Sequence, residues 1–446
     1  MMERAEAAEE SVAGIPLYRE GSSDEESGRR LEEDRAGFLV RAYRSAGPIF
    51  QTRMGDRSWI VLAGAEANDL VWKRTELWDY PHVFPAFGEQ MGPDHLNVLE
   101  GDAHRHKRAM LKPAFDQGPA MRFLPGFNVC CRAALERAQD KGAVEMVEFW
   151  AETIAWANTQ TVSRVDLPDG ELKRLVRWER EMLAGIFLGE SRHAHYARPE
   201  YQALHGEAMA LMGKIVDERL AHPDRHNDNF SAVLRARSAQ PGGLPARESL
   251  IDDLYYILVA GVENTARLIT WAALYSWLSP GWLERLRSEL NDWDGADVAA
   301  LAEMTGLKAV ILETQRLRPP AFFLPRHSAR DFEFAGYRIP AGASILSANT
   351  LCHFLEEYFE DPFAFRPERF MDGGRFAPRV NGFFGGGVHI CLGRNYTLLQ
   401  TPVALARMLK QCDLEFLDEA ALREMIAHPK RQIPPEVRVR IKAGPR

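Results

Sequence analysis

The sequence contains little cysteine, no strong excess of one charge and no long apolar run. Its net charge is −8 with both signs mixed along the chain, which argues against nucleic acid as a main partner. No apolar segment near the N-terminus is long enough for a signal peptide or a membrane anchor, so we expect neither. The cysteines are an odd number without the spacing of a disulfide framework, which favours a reducing compartment, the cytoplasm. They are Cys130, Cys131, Cys352, Cys391 and Cys412.

The first 35 residues differ in composition from the rest of the chain. They carry many glutamates and arginines and few large apolar residues, so residues 1–35 are predicted to form a flexible arm. The remainder is long for one domain by the usual size of about 100–200 residues. It shows no sharp change of composition, and the 46% hydrophobic content of the chain can fill a large core.

Apolar residues spaced three and four apart predict a mainly α fold with small β-sheets. The helix expected over Leu250–Leu278 is apolar nearly all round from Leu254, which indicates a buried central helix. Strands are predicted at 49–53 and 59–62 around a Gly55-Asp56 turn, and at 332–339 and 344–347 around residues 340–342. The other predicted helices are Glu66–Thr75, Ala103–Phe115, Met121–Lys141, Val147–Val162, Leu172–Leu188 and Glu207–His222.

The segment from Phe384 to Gly393 presents a cysteine in a glycine-rich turn, Phe-Gly-Gly-Gly-Val-His-Ile-Cys-Leu-Gly. Glycines permit tight turns and positive φ, so the loop can hold the Cys391 thiolate toward an iron while its backbone stays clear of the porphyrin. The alternative is an ordinary turn with a buried core cysteine. Phenylalanine, glycine, histidine and cysteine falling together at this spacing favour a haem ligand.

This loop resembles the haem-binding loop of the cytochrome P450 family. Three more segments resemble that family in the right order: Glu313 to Arg316 its ExxR element, residues 365–370 its PERF element, and residues 260–265 its oxygen-activating helix. The resemblance extends from about Gly47 to the C-terminus. It implies the cytochrome P450 fold, with a long central helix over the haem, in a single catalytic domain over residues 36–446.

The resemblance also implies the cofactor, haem b, and the residues around it. Cys391 would be the axial ligand of the haem iron, with Phe384, Gly387 and Gly393 shaping its loop. The propionate-binding residues would be His104, Arg108, Arg326 and His389. His104 and Arg108 are four apart and share a helical face, although a solvated basic face is the other explanation of that spacing. Glu313, Arg316 and Arg369 would form a buried structural network.

The oxygen-side helix departs from the family pattern. The resemblance implies that Gly261 makes room for O₂ and that Glu263 supplies the acid of a proton relay. A threonine usually follows, but here Asn264 occupies that place and Thr265 comes one residue later. One residue rotates a helical side chain by about 100°, so Thr265 cannot simply replace it in a regular helix. The alternative is that Glu263 and Asn264 only satisfy the hydrogen bonds of a distorted helix.

The resemblance implies a monooxygenase that inserts one atom of O₂ into a lipophilic small molecule. Electrons would come from a ferredoxin or flavodoxin with its reductase, since only 55 residues follow Cys391. Basic side chains that could dock such an acidic partner are Arg105, Lys107, Lys112 and Arg394, although solubilising surface charge is the other explanation of each. The alternatives are a peroxygenase, isomerase or dehydratase of the same fold, or a non-catalytic haem sensor. Substrate-pocket candidates, by analogy, are Phe84, Phe87, Tyr256, Val259, Ala260, Phe322 and Phe323.

Overall fold

The computed structural model describes residues 14–54, 57–139, 141–186, 188–428 and 436–444. The chain divides into two compact units. Unit 1 contains residues 1–83, 312–391 and 420–433, and unit 2 contains residues 84–311, 392–419 and 434–446. The predicted mainly α fold with small sheets is confirmed.

The helices and strands alternate irregularly along the chain. The helices are α1 (Asp24–Glu33), α2 (Arg35–Ala46), α3 (Ala65–Lys73), α4 (Tyr80–Val83), α5 (Pro85–Met91), α6 (Gly101–Phe115), α7 (Gln117–Ala138), α8 (Met146–Ala157), α9 (Asp169–Ile186), α10 (Arg192–Tyr196), α11 (Pro199–Ala221), α12 (Asn229–Ser238), α13 (Arg247–Leu258), α14 (Val262–Leu278), α15 (Trp282–Glu289), α16 (Thr305–Leu317), α17 (Arg394–Gln411) and α18 (Glu419–Ala427). The strands are β1 (Ile49–Met54), β2 (Arg57–Ala63), β3 (Val144–Glu145), β4 (Leu324–His327), β5 (Phe332–Phe334), β6 (Tyr337–Ile339), β7 (Ser344–Ala348), β8 (Cys412–Phe416) and β9 (Arg438–Ala443).

Unit 1 is built on a four-stranded sheet in the order β1-β2-β7-β4. β2 and β7 are parallel and the other two pairs are antiparallel. β1 and β2 pair as predicted, while the turn predicted at Gly55-Asp56 lies outside the described residues. The second predicted hairpin is wrong. β5 instead pairs with β6 through a turn at Ala335 and Gly336, both at positive φ, and β7 joins the four-stranded sheet.

Residues 14–35, the described part of the predicted flexible arm, are packed into unit 1. The Gln51 side chain donates a hydrogen bond to the Ile15 carbonyl at 2.9 Å, and Leu17 bridges to Gln51 beside the sheet. Helix α1 buries Leu31 completely and begins with a Ser23 cap on the Glu26 N–H. This part therefore differs from the expected loose arm, because a few apolar residues anchor a mostly charged segment.

Unit 2 is helical around α13 and α14, which lie within residues 247–278. α14 packs against α8 and α17, and α17 packs against α7. A small antiparallel sheet has the order β3-β9-β8. Within the described residues, 247–278 is the one helical stretch long and apolar enough to cross a membrane. Within this stretch, 78% of the most apolar window is buried inside the described structure, as in the core helix of a folded domain.

The central helix is interrupted where the sequence predicts continuity. α13 ends at Leu258 and α14 begins at Val262. The Ala260 N–H bonds five residues back, to the Tyr255 carbonyl, at 3.2 Å. The Leu258 carbonyl accepts a hydrogen bond from the Asn158 side chain at 2.9 Å, and Asn158 lies in a π-helical turn, Asn158–Val162. The inserted amide satisfies a carbonyl at the break, which is a recognised cause of helix distortion.

Candidate active-site residues

The glycine-rich loop in unit 1 presents Cys391 at its end. All five cysteines lie in the described part of the chain, and Cys391 alone is exposed. Its backbone N–H donates to the Phe384 carbonyl at 2.9 Å, which closes the loop. Gly385 and Gly387 adopt φ of 67° and 62°, where a side chain would be strained. The loop therefore holds one thiol outward, as a metal ligand requires.

The position of Trp72 on α3 explains why two residues of the loop must be glycine. A Cβ on Gly386 would overlap the Trp72 ring, and a Cβ on Gly387 would overlap the Trp72 carbonyl oxygen. These glycines are thus needed for packing inside unit 1 as well as for the turn. Sequence reasoning missed Trp72, since it lies more than 300 residues before the loop. Gly393, two residues after Cys391, is the N-cap of α17.

Arg326 is a buried cation in unit 1. It lies on β4, its Nε is buried without a hydrogen-bond partner, and no carboxylate of a described residue pairs with it. Burial lowers the pKa of its guanidinium. Its guanidinium carbon is 5.5 Å from the Tyr80 ring, which stacks on the His389 ring at 4.0 Å. An uncompensated buried cation calls for an anion, so this donor set fits a haem propionate.

The predicted pair of Glu313 and Arg316 lies in unit 1, with both side chains fully inaccessible. Two parallel hydrogen bonds of 2.7 and 2.8 Å join them. Arg369 donates to the same carboxylate at 3.1 Å, as does the Arg366 backbone N–H at 2.9 Å. Arg316 also donates to the carbonyls of His353, Pro362 and Ala364. Every donor of the pair is occupied, so the network fixes this part of unit 1.

His353 belongs to the same network, although no sequence pattern pointed to it. It is buried, its Nδ1 lies 3.0 Å from the Arg316 carbonyl oxygen, and its Nε2 accepts a hydrogen bond from the Gly382 N–H at 3.3 Å. These partners require the neutral ring with the proton on Nδ1. Burial lowers the pKa of His353 to about 3. The neutral ring connects the Arg316 network to the segment that leads into the cysteine loop.

We expect acid to destabilise the fold through His353. The folded-state pKa is depressed below the ordinary value of 6.5, so its contribution is complete above that value and is lost as the pH falls toward 3. The variant His353→Gln keeps one hydrogen-bond donor and one acceptor at this position. Its side chain does not titrate, so it does not show this loss of stability in acid. The gap in unfolding temperature between wild type and variant should narrow from about pH 7 to pH 5. A gap that stays constant would contradict the prediction; circular dichroism at each pH measures it.

His104 and Arg108 lie on α6 in unit 2, one turn apart as predicted. His104 is buried, and burial followed by the neighbouring Arg108 lowers the pKa of its imidazole to about 4. Lys107 is also buried, where it contacts Asp252 and lies 3.4 Å from Asp253. Its predicted role in docking a redox partner is therefore wrong, because two carboxylates hold it inside the unit. Arg105 on the same helix is exposed.

The interruption of the central helix presents Gly261 and Asn264 outward. Both are exposed, and a Cβ on Gly261 would meet no atom of a described residue within 4 Å. Thr265 is buried, and its hydroxyl lies 3.1 Å from that of Thr397 on α17. Thr265, at the end of the predicted oxygen-activating segment 260–265, is therefore turned toward another helix. The polar group that this surface offers beside Gly261 is the Asn264 amide.

Two arginines hold Glu263 within unit 2. Arg267 donates to one carboxylate oxygen at 3.0 Å, and Arg180 of α9 donates to the other at 3.3 Å. Glu179, next to Arg180, is buried with neither carboxylate oxygen hydrogen-bonded in the described structure. Burial, and then Glu263, raise the pKa of Glu179. Two glutamates and two arginines therefore meet on this side of α14, and no local sequence pattern pointed to Glu179 or Arg180.

The predicted pocket residues behave differently in the two units. In unit 2, the Tyr256 hydroxyl bonds to His95 at 2.8 Å and accepts from the Leu96 N–H at 2.9 Å. Phe84 and Phe87 form an edge-to-face pair at 6.0 Å, and Val259 and Ala260 lie in the helix interruption. In unit 1, Phe322 is buried and stacks on Phe354 at 5.2 Å, which is core packing, while Phe323 is partly exposed.

Comparison with known proteins identifies the family of the chain. The chain is 25% identical over 391 residues to cytochrome P450 139 of Mycobacterium bovis, covering 84% of this chain and 90% of that protein. It is 24% identical to a sterol 14alpha-demethylase of Mycolicibacterium vanbaalenii, over 88% and 90% of the two chains. The structure of retinoic acid bound cyanobacterial CYP120A1 matches with a TM-score of 0.77 and 23% identity, over 96% of this chain and 99% of that one. The family model described as Cytochrome P450 matches residues 28–433. The chain therefore belongs to the cytochrome P450 family of haem-dependent monooxygenase oxidoreductases.

Proposed function

We propose that this chain is a cytoplasmic haem-thiolate monooxygenase that oxidises a lipophilic small molecule, with haem b bound through Cys391. The observation that carries the proposal is the exposed thiol in a glycine-rich loop of the same unit that buries Arg326, with which no carboxylate of the described residues pairs. A thiolate-ligated haem supplies the chemistry that activates O₂. The protein's own residues hold the cofactor, manage protons and admit the substrate.

Four side chains are proposed to bind the propionates. Arg326 offers a buried guanidinium, and His389 is oriented by its stack on Tyr80. His104 and Arg108 offer a neutral imidazole and a cation from one face of α6. Charge-assisted hydrogen bonds of this kind contribute about 1.5–3 kcal/mol each. Phe384, Gly387 and Gly393 shape the loop that carries the thiolate.

Glu263 and Asn264 are proposed to move protons at the oxygen side. Two arginines orient the Glu263 carboxylate, and burial and the nearby Glu263 raise the pKa of the adjacent Glu179. Asn264 presents an amide that both donates and accepts hydrogen bonds. Thr265 is assigned a structural role, because its hydroxyl is engaged with Thr397.

The substrate and the electron donor are proposed from their chemical class. A lipophilic substrate is supported by the apolar and aromatic pocket candidates and by the names of two similar proteins, one a sterol demethylase and one bound to retinoic acid. A ferredoxin or flavodoxin with its reductase would supply electrons. Arg105, Lys112 and Arg394 are exposed basic residues that could contact an acidic carrier.

A peroxygenase is the second candidate, favoured by Asn264 in place of threonine and by the engagement of Thr265. To separate the two, compounds that shift the haem from low to high spin would first be identified. Product would then be measured with a ferredoxin system and, separately, with hydrogen peroxide alone. Turnover with the ferredoxin system supports the monooxygenase; turnover with peroxide only would replace it with the peroxygenase.

We expect Asn264→Thr to improve the coupling of electron consumption to product formation. The residue is exposed on the surface beside Gly261, so a threonine hydroxyl fits there and restores the family's usual proton-handling group. Coupling is measured as product formed per reductant consumed. Asn264→Ala is the matched control and should lower coupling, since it removes the polar group. Lower coupling in Asn264→Thr would show that the amide has a role of its own.

A further inference from the structure

Three metal-ligating side chains meet in unit 1 outside the proposed haem residues: Asp79, His82 and His327. One ligand atom from each lies within 4.8 Å of the other two. His82 Nδ1 is 2.6 Å and His327 Nδ1 is 3.9 Å from the same Asp79 oxygen. The two imidazoles are roughly parallel, with centroids 5.2 Å apart. Two imidazoles and a carboxylate form a donor set typical of a transition-metal site.

The backbone holds these ligands in register. The Asp79 N–H donates to the His327 carbonyl at 2.9 Å, and the Ala329 N–H donates to the Leu77 carbonyl at 2.8 Å. Trp78 and Ser328 form an antiparallel bridge between the same two segments. His82 follows within α4, a single helical turn that begins at Tyr80. Backbone hydrogen bonds thus already hold together the chain segments that carry the ligands. A metal site on such ordered segments is more precise than a site built on loops.

The ligand atoms are disposed to accept an ion with small side-chain movements. Zinc bonds of about 2.0–2.1 Å at tetrahedral angles place neighbouring ligand atoms about 3.3 Å apart. The observed separations from Asp79, 2.6 and 3.9 Å, lie on either side of that spacing. His327 Nδ1 is buried and has no hydrogen-bond partner in the described structure, so its lone pair is not used by the protein.

We propose that Asp79, His82 and His327 bind one zinc ion, with water as the fourth ligand. The His82 side chain is 69% exposed, so an ion can enter from solvent and the open position faces water. The bound ion would join α4 to β4. Both elements carry residues of the Arg326 site, since Tyr80 precedes His82 and Arg326 precedes His327. Zinc would therefore stabilise the corner of unit 1 that positions the proposed propionate residues.

The chain contains a second histidine–carboxylate pair that serves as a control for this site. His193 and Glu190 are also a histidine and a carboxylate three residues apart on the surface, 3.5 Å from each other. That pair does not belong to the group of three potential metal ligands found among the described residues. His193→Ala is therefore the matched control for His82→Ala. Both histidines are well exposed, so neither substitution should affect the fold.

The test uses the untagged, haem-loaded full chain after treatment with a chelator. Zinc is titrated by calorimetry, and the first coordination shell is measured by X-ray absorption at the zinc edge. We expect one equivalent, a shell of nitrogen and oxygen with two imidazoles, and an affinity that falls at least about tenfold in His82→Ala and Asp79→Asn. His193→Ala should bind as wild type does. No saturable equivalent, a sulfur-containing shell, fewer than two imidazoles or an equal loss in His193→Ala would each overturn the proposal.

Discussion

Glu313→Gln should leave little of the chain as folded, haem-loaded protein. The substitution removes the negative charge that Arg316 and Arg369 share in unit 1, while Arg316 stays fully buried. Stranding one buried charge costs about 3–5 kcal/mol, and a domain is stabilised by only about 5–15 kcal/mol in total. The shape of the side chain is nearly unchanged, so the loss would come from charge rather than from packing.

The measurement is the unfolding temperature, together with the haem content of the purified protein. Glu356→Gln is the matched control, because Glu356 is an exposed glutamate of unit 1 and its replacement should change neither quantity. Arg369→Gln should fall between them, since Glu313 keeps its bonds to Arg316 and to the Arg366 N–H. If Glu313→Gln unfolds at the temperature of Glu356→Gln, the buried network does not stabilise unit 1.

Cys391→Ser should abolish the thiolate signature of the haem and reduce oxygen-dependent product to background. The serine hydroxyl has nearly the size of the thiol, so the hydrogen bond from residue 391 to the Phe384 carbonyl and the positive-φ glycines should remain. What is lost is the sulfur, whose electron donation favours O–O cleavage. Folding should therefore be retained while the chemistry is lost.

Absorption and electron paramagnetic resonance spectra of the ferric protein measure the ligation, and product formation measures the activity. Cys130→Ala is the control. Cys130 is buried, and burial raises the pKa of its thiol to about 11, so it does not supply a thiolate near neutral pH. This variant should keep both the spectrum and the activity. A wild-type spectrum in Cys391→Ser would refute the assignment of the ligand.

Local sequence patterns predicted most of the helices of unit 2, because an amphipathic period needs no knowledge of distant residues. The predicted helix over Ala103–Phe115 is observed as Gly101–Phe115. Prediction failed where remote groups decide the backbone. The break after Leu258 depends on the Asn158 amide, 100 residues earlier in the chain. The second hairpin prediction failed because it treated residues 332–339 as one strand, whereas Ala335 and Gly336 form a two-residue turn at positive φ within that range.

The residues of the candidate site also differ in whether local sequence patterns could predict them. Glu313 and Arg316 could be paired from the sequence, since they lie one helical turn apart. His353, Trp72 and Glu179 could not be found, because each acts on residues far from it in the chain. Lys107 was misjudged, since only the fold shows that Asp252 and Asp253 face it. Charge alone does not tell a docking residue from a buried ion pair.

The most direct test of the haem-thiolate proposal is the carbon monoxide difference spectrum of the reduced wild-type protein. We predict the long-wavelength Soret band that marks carbon monoxide bound opposite a thiolate, which Cys391 would supply. A Soret band at the shorter wavelength of histidine-ligated haem, in protein shown to be folded, would contradict it.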